Sequence, residues 1–138
     1  MGLSQLRCLK DFLARRREVA ATYSRCLQGC TGVEPLALPE GGRPSYWRYT
    51  VLLQGKTDRA ALKSALAADQ IGVDWAYDPP MHLQPVFRRL YQTSPGMLPR
   101  SEQLLREHLC LPIHARMRTV DAEYVAERLM FHRSHTAP

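Results

Sequence analysis

Along the opening of the chain, apolar side chains return at Leu6, Leu9, Leu13, Ala20, Tyr23 and Leu27, with Phe12, Val19 and Cys26 widening the stripe. Steps of this kind keep residues on one side of an α-helical turn, so the pattern predicts one long amphipathic helix over residues 3–27. Arg15, Arg16 and Arg17 fall on its polar face, and Gly29 and Gly32 end it. "PLALPEGGRPS", residues 35–45, reads as a loop from its prolines and glycines. "YWRYTVLLQ", residues 46–54, is aromatic and β-branched with partial alternation, and predicts a strand that Gly55 stops.

A second helix is predicted from a Thr57 or Asp58 cap through Asp69, with Ala61, Leu62, Ala65 and Leu66 on its apolar face. "IGVDW", residues 71–75, predicts a second strand. Pro85 fits the first turn of a short helix ending at Tyr91, because its missing amide proton has no intrahelical partner there. Ser101 is expected to cap a helix that turns Leu104, Leu105 and Leu109 inward. "CLPIH" is expected to be short and extended, since Pro112 restricts the residue before it. Thr119 then opens a last helix through Ala122, Val125, Ala126 and Leu129, and the tail after His132 is expected to fray. The order predicts an α/β (α+β) fold, a small open sheet of about three strands with helices packed on it.

At 138 residues and 45% hydrophobic, the chain fits a single domain, residues 1–138, with one modest core. No window approaches the roughly 18 uninterrupted apolar residues of a membrane span. The first helix carries three consecutive arginines where a signal peptide would have its apolar core, so a cytoplasmic location is expected. Cys8, Cys26, Cys30 and Cys110 are too few and too scattered for a disulfide framework and suit a reducing compartment. The formal charge of +6 would suit a phosphorylated ligand or nucleic acid. The arginines sit in separate segments with acids nearby, which disfavours nucleic acid as a partner.

The chain has no GxGxxG, P-loop, HExxH or GxSxG motif, and no catalytic residue is assigned to it. Cys26, Cys30, Cys110 and His114 make a zinc set on paper, with three residues between the members of each pair. No knuckle glycines accompany them, so buried apolar cysteines are preferred and no metal site is assigned. No adjacent serine or cysteine nucleophile can be paired with any of the five histidines from sequence alone. His108, His132 and His135 are expected to face solvent; His82 and His114 lie beside prolines at junctions, where ligand-facing residues concentrate.

"DWAYDPPMHLQPVF", residues 74–87, is the most informative stretch. Its adjacent prolines fix φ and stiffen the path, so Tyr77 and His82 keep a set separation with little entropy left to lose on binding. A phenol and an imidazole held that way can bond a polar, anionic ligand, or can bond neighbouring backbone and merely close the loop. In "SYWRYTV", alternation pairs Trp47 with Tyr49 and Tyr46 with Arg48, one pair inward and the other outward. An outward Arg48 can meet a phosphate or pair with a helix carboxylate.

Five segments in order, "GLSQLRCLKDFLARRREVAATY", "SYWRYTVLL", "DRAALKSALAADQIGVDWAYDPPMHLQPVF", "MLPRSEQLLREHLCLPIHARM" and "VDAEYVAERL", resemble the closing portion of the DegT/DnrJ/StrS sugar aminotransferases. The resemblance runs from Gly2 to Leu129. It implies the small C-terminal domain of a fold type I enzyme that uses pyridoxal phosphate to move an amino group onto a keto sugar nucleotide. The family's large domain carries the cofactor lysine and the phosphate site. Here Lys10 lies on the first helix, Lys56 in a "GKTD" turn and Lys63 on a helix amid small residues, none in the buried pocket a Schiff-base lysine needs. The chain alone is therefore expected to hold no pyridoxal phosphate and to be inactive without the large domain.

By the same resemblance, the loop holding Tyr77 and His82 borders the active-site mouth, and these two residues are the expected substrate-side contacts. Many relatives carry a histidine immediately before that tyrosine, whereas this chain has Ala76. The expected partners are a large domain, or another copy in a homo-oligomer, with a sugar nucleotide as substrate of the complete enzyme. The alternative is a stand-alone, non-catalytic interaction module that uses the vacated interdomain face.

Overall fold

The computed structural model of the chain describes residues 2–135. The strand β2 (Tyr49–Leu53) alternates as a half-buried strand should: Tyr49, Val51 and Leu53 are buried, with Thr50 and Leu52 half-exposed between them. It is the middle strand of an antiparallel sheet, between β1 (Val33–Pro35) and β3 (His108–Leu111). Val33 stands opposite Leu53 and Leu109 opposite Val51, so one face of all three strands is apolar.

Helices cover that face. The helix α1 (Gly2–Arg7) leads into α2 (Leu9–Cys26), which buries Val19, Ala20 and Tyr23; Leu27 just beyond its end is buried too. The helix α3 (Arg59–Ala68) adds Leu62 and Leu66, and α6 (Thr119–His135) adds Ala122, Val125, Ala126 and Leu129. Burying one such leucine contributes about 1.5–3 kcal/mol. The Tyr23 hydroxyl, fully enclosed, donates to the Pro112 carbonyl at 2.9 Å, and burial pushes its pKa well up. Between α3 and β3 in the chain come a 3-10 turn (Met81–Leu83), α4 (Pro85–Tyr91) and α5 (Pro99–Glu107).

The architecture is the mixed α/β fold with a three-stranded open sheet that the pattern predicts, and the sequence places three of its helices closely. The Asp58 carboxylate caps α3 by accepting from Ala60 and Ala61 at 2.9 and 3.0 Å. Pro85 starts α4 and Tyr91 ends it, and Thr119 starts α6.

Several expectations are corrected. The first helix breaks at Cys8; α1 buries nothing, so no packing holds it in line with α2. β1 lies partly in the segment read as loop: three residues including a glutamate and a proline carry too little pattern to show as a strand. "IGVDW" makes a single bridge, Asp74 to Cys110, although Ile71 and Val73 are buried. α5 starts at Pro99 without a Ser101 cap; Glu102 is its buried residue, while Leu104 is exposed and Leu109 sits in β3. α6 continues to His135, and residues 136–138 lie outside the described ones.

A braced loop as candidate active-site edge

β3 is buried at every position, which a half-covered strand cannot be. Its outer side is covered by the segment that begins at Asp74, whose backbone exchanges hydrogen bonds with Cys110 at 2.7 and 3.2 Å. This is the start of the tyrosine–proline–histidine loop. Tyr77 follows with a left-handed backbone, φ 58°, a conformation that crowds a Cβ and costs on the order of 1–3 kcal/mol. Its side chain is 65% exposed, so burial of the ring does not hold it there.

The neighbours on either side do. The N–H of Ala76 donates to His108 Nε2 at 2.8 Å. That acceptor role fixes the tautomer: the other ring nitrogen, Nδ1, lies 3.1 Å from the Leu105 carbonyl and carries the proton. Burial depresses the pKa of His108, with Arg59 adding to the effect, so the ring stays neutral and the acceptor is kept. After Tyr77, Asp78 accepts from Arg59 Nη2 at 3.0 Å. The Arg59 Nη1 group in turn donates to the carbonyls of Leu105 and His108 at 2.9 and 3.1 Å, and its guanidinium lies over Trp75.

His82 closes the far end. Its Nε2 donates to Glu102 Oε1 at 3.0 Å, with both side chains buried. The same oxygen accepts from the N–H groups of Gly96 and Leu98 at 2.8 and 3.3 Å. The hydrogen bond from His82, then those backbone donors, hold the Glu102 carboxyl below its ordinary pKa. Thr93 donates to the His82 carbonyl and Gln84 to that of Pro79. The loop is thus tied to α3, α5 and β3 by polar groups, and Tyr77 is the aromatic side chain it leaves in the open.

The two residues the sequence singles out are therefore placed differently: Tyr77 projects outward, and His82 is turned inward on Glu102. His108, expected at the surface of a helix, is a buried strand residue, because the helix stops at Glu107. His132 is half-buried; its Nε2 and Arg128 Nε both lie 2.6 Å from Asp69 Oδ2. His135 is exposed as expected. His114 is exposed and accepts the Arg116 N–H. Cys30 Sγ meets Met130 Sδ at 2.9 Å, and Cys110 is buried on β3. His108, Arg59 and Glu102, which hold the loop, gave no signal in the sequence beyond their residue type.

The lysines do not fit a cofactor imine. Lys10 and Lys56 are exposed, and the Lys63 ammonium is spent on Asp74 at 3.3 Å and on the Trp75 face. Among the described residues no group of three or more histidine, cysteine or acidic side chains is placed to hold a metal ion. No helix among them is long and apolar enough to cross a membrane.

These features sit in a recognisable whole. A family model, the DegT/DnrJ/EryC1/StrS aminotransferase family, matches residues 1–130, and the chain belongs to that family. It is 33% identical over 128 residues to a dTDP-4-dehydro-2,3,6-trideoxy-D-glucose 4-aminotransferase of Saccharopolyspora spinosa, covering 92% of this chain and 31% of that protein. It is 31% identical to a pleiotropic regulatory protein of Geobacillus stearothermophilus, over 88% of this chain and 32% of that one. Among solved structures, the aminotransferase TlmJ of Streptoalloteichus hindustanus superposes with TM-score 0.84 at 30% identity, over 99% of this chain and 35% of that one. The chain thus spans about a third of the length of the relatives it matches.

Proposed function

We propose that this chain is the small domain of a pyridoxal phosphate dependent aminotransferase acting on keto sugar nucleotides, and that it is inert until a large domain completes it. The observation that carries the reading is the loop: a strained, exposed Tyr77 braced on both sides, in a chain that aligns end to end with a third of several sugar aminotransferases. Strain of this kind is retained where a side chain must be presented. In this reading Tyr77 contacts substrate held by the other domain, and His82 serves the same edge from beneath by fixing the loop on Glu102. The cofactor, bound elsewhere, supplies the electron sink for moving the amino group.

An exposed apolar stripe supports the reading of a missing partner. Leu3, Leu6, Leu9 and Phe12 are exposed along α1 and the start of α2, an apolar stripe that the described residues leave uncovered. A large domain, or a second copy, would bury it. The alternative of a non-catalytic interaction module rests on the same stripe. Complementation separates the two: the chain mixed with pyridoxal phosphate should give no borohydride-fixed adduct and convert no keto sugar nucleotide. Adding the separately produced remaining part of a family member should restore turnover. Turnover by the chain alone, or no complex with the added part, would sink the proposal.

A further inference from the structure

The outer face of the sheet holds a second polar feature that the loop does not use. Tyr46 has a left-handed backbone, φ 47°, which upsets the alternation expected just before β2: Tyr46 packs against the core and Trp47 is left 67% exposed. Arg48 follows on the outer side, its Nη1 donating to Cys110 Sγ at 3.6 Å and its guanidinium lying 4.6 Å from the Trp47 ring centre. Of the two fates the sequence allows it, the carboxylate partner is not taken: Arg48 makes no ion pair among the described residues. Asp74, the nearby acid, is engaged by Lys63. The Arg48 Nε is buried with no hydrogen-bond partner. Arg16 and Arg133 share that feature, but Arg48 also lines an open groove, and its charge there lacks a counter-charge.

Arg48 and Trp47 line a groove of about 440 Å3 that Tyr46, Leu36 and Leu38 help to wall. A second groove of about 430 Å3 adjoins it across Leu38 and Tyr46 and adds Arg17 and Arg43. No acidic residue lines either groove.

We propose that Arg48 is an oxyanion-binding residue, taking the phosphate or carboxylate group of a ligand whose ring or chain lies along Trp47 and Tyr46. A guanidinium flattened on an indole has its planar fork pre-organised, so it loses little freedom when it clasps an oxyanion. Trp47 offers a flat apolar wall to a base or an alkyl chain, and Arg17 and Arg43 add positive potential farther along. The inference concerns this chain's own surface and stands whether or not the chain works within an aminotransferase.

The Nε–H resonance of Arg48 reads the site directly by nitrogen-edited NMR of the full chain. Inorganic pyrophosphate, uridine diphosphate and glutarate are titrated separately, with sodium chloride at matched ionic strength as the blank. A saturable shift with the two phosphates assigns a phosphate ligand, and one with glutarate alone assigns a carboxylate; either supports the proposal. Arg48→Gln should weaken binding by about tenfold or more, the loss expected for a charge-assisted bond, with Arg48→Lys in between. Arg88→Gln, on the exposed helix α4, should leave affinity unchanged. Should Arg48→Gln fail to fold, Trp47→Ala and the wild-type resonance carry the test. No saturable shift by about 10 mM, beyond any useful millimolar affinity, overturns it. So does a shift reproduced by sodium chloride, or affinity surviving Arg48→Gln within about twofold.

Discussion

His108 Nε2 accepts the backbone N–H of Ala76 at 2.8 Å, so a residue buried in the sheet sets the position of the residue just before Tyr77. Replacing His108 by Phe keeps the bulk and removes the acceptor, leaving a part-buried N–H unpaired. The expected loss of stability is about 1–3 kcal/mol by urea denaturation. Proteolysis within residues 74–83 should rise as the loop loosens.

The same ring makes stability depend on pH. Its folded pKa is depressed below the ordinary 6.5, chiefly by burial, so the unfolded chain takes up the proton first as pH falls. The contribution is complete above about pH 6.5 and is lost as pH drops through the lower folded value. Melting temperature should therefore decline on acidification from pH 7.5 to 5.5, and His108→Gln should flatten that decline. An equal slope in both proteins would remove His108 as its source.

Glu102 is a buried carboxylate with three donors on one oxygen: His82, Gly96 and Leu98. Glu102→Gln keeps an acceptor, whereas Glu102→Ala strands all three donors. Alanine should lower the unfolding midpoint more than glutamine does, and should expose His82 to chemical modification. Because the carboxyl pKa is depressed below 4.5, its stabilisation is present above that value and is lost as pH falls through the folded pKa.

Leu129 is fully buried where α6 meets the core. Leu129→Ala removes its contacts and leaves a cavity, at a cost of about 2–5 kcal/mol. For a domain whose total stability is of the same order, calorimetry should show a broadened or absent transition.

Asp69 gathers Arg128 Nε and His132 Nε2 onto one oxygen, joining the end of α3 to the last turns of α6. Asp69→Asn should speed amide exchange over residues 128–135 while leaving α2 protected. Rising salt should reduce the difference between the two proteins, since the group is partly solvent-exposed.

How far the sequence could be read follows from the range of each interaction. The Asp58 cap, Pro85 at the start of α4 and Thr119 at the start of α6 are local devices, legible because the residue and the backbone group it serves are neighbours. Trp47 reads as sharing a face with Tyr49, but the positive φ of Tyr46 breaks that alternation, so Tyr49 is buried and Trp47 exposed. The loop was legible through its prolines. Its braces were not, because Arg59, His108 and Glu102 lie 19, 32 and 20 residues from Asp78, Ala76 and His82.

By itself, then, the sequence determined the periodic helices, the middle strand, the stiff loop around Tyr77 and the resemblance to one family's closing portion, since all of these are written in neighbouring residues. Tertiary structure alone decided that His82 turns inward on Glu102, that His108 is a neutral acceptor in the sheet, and that Arg48 keeps a buried nitrogen unpaired beside Trp47. Each of those outcomes depends on which distant partner shares a low-dielectric space, and burial and pairing of that kind exist only once the chain has closed on itself.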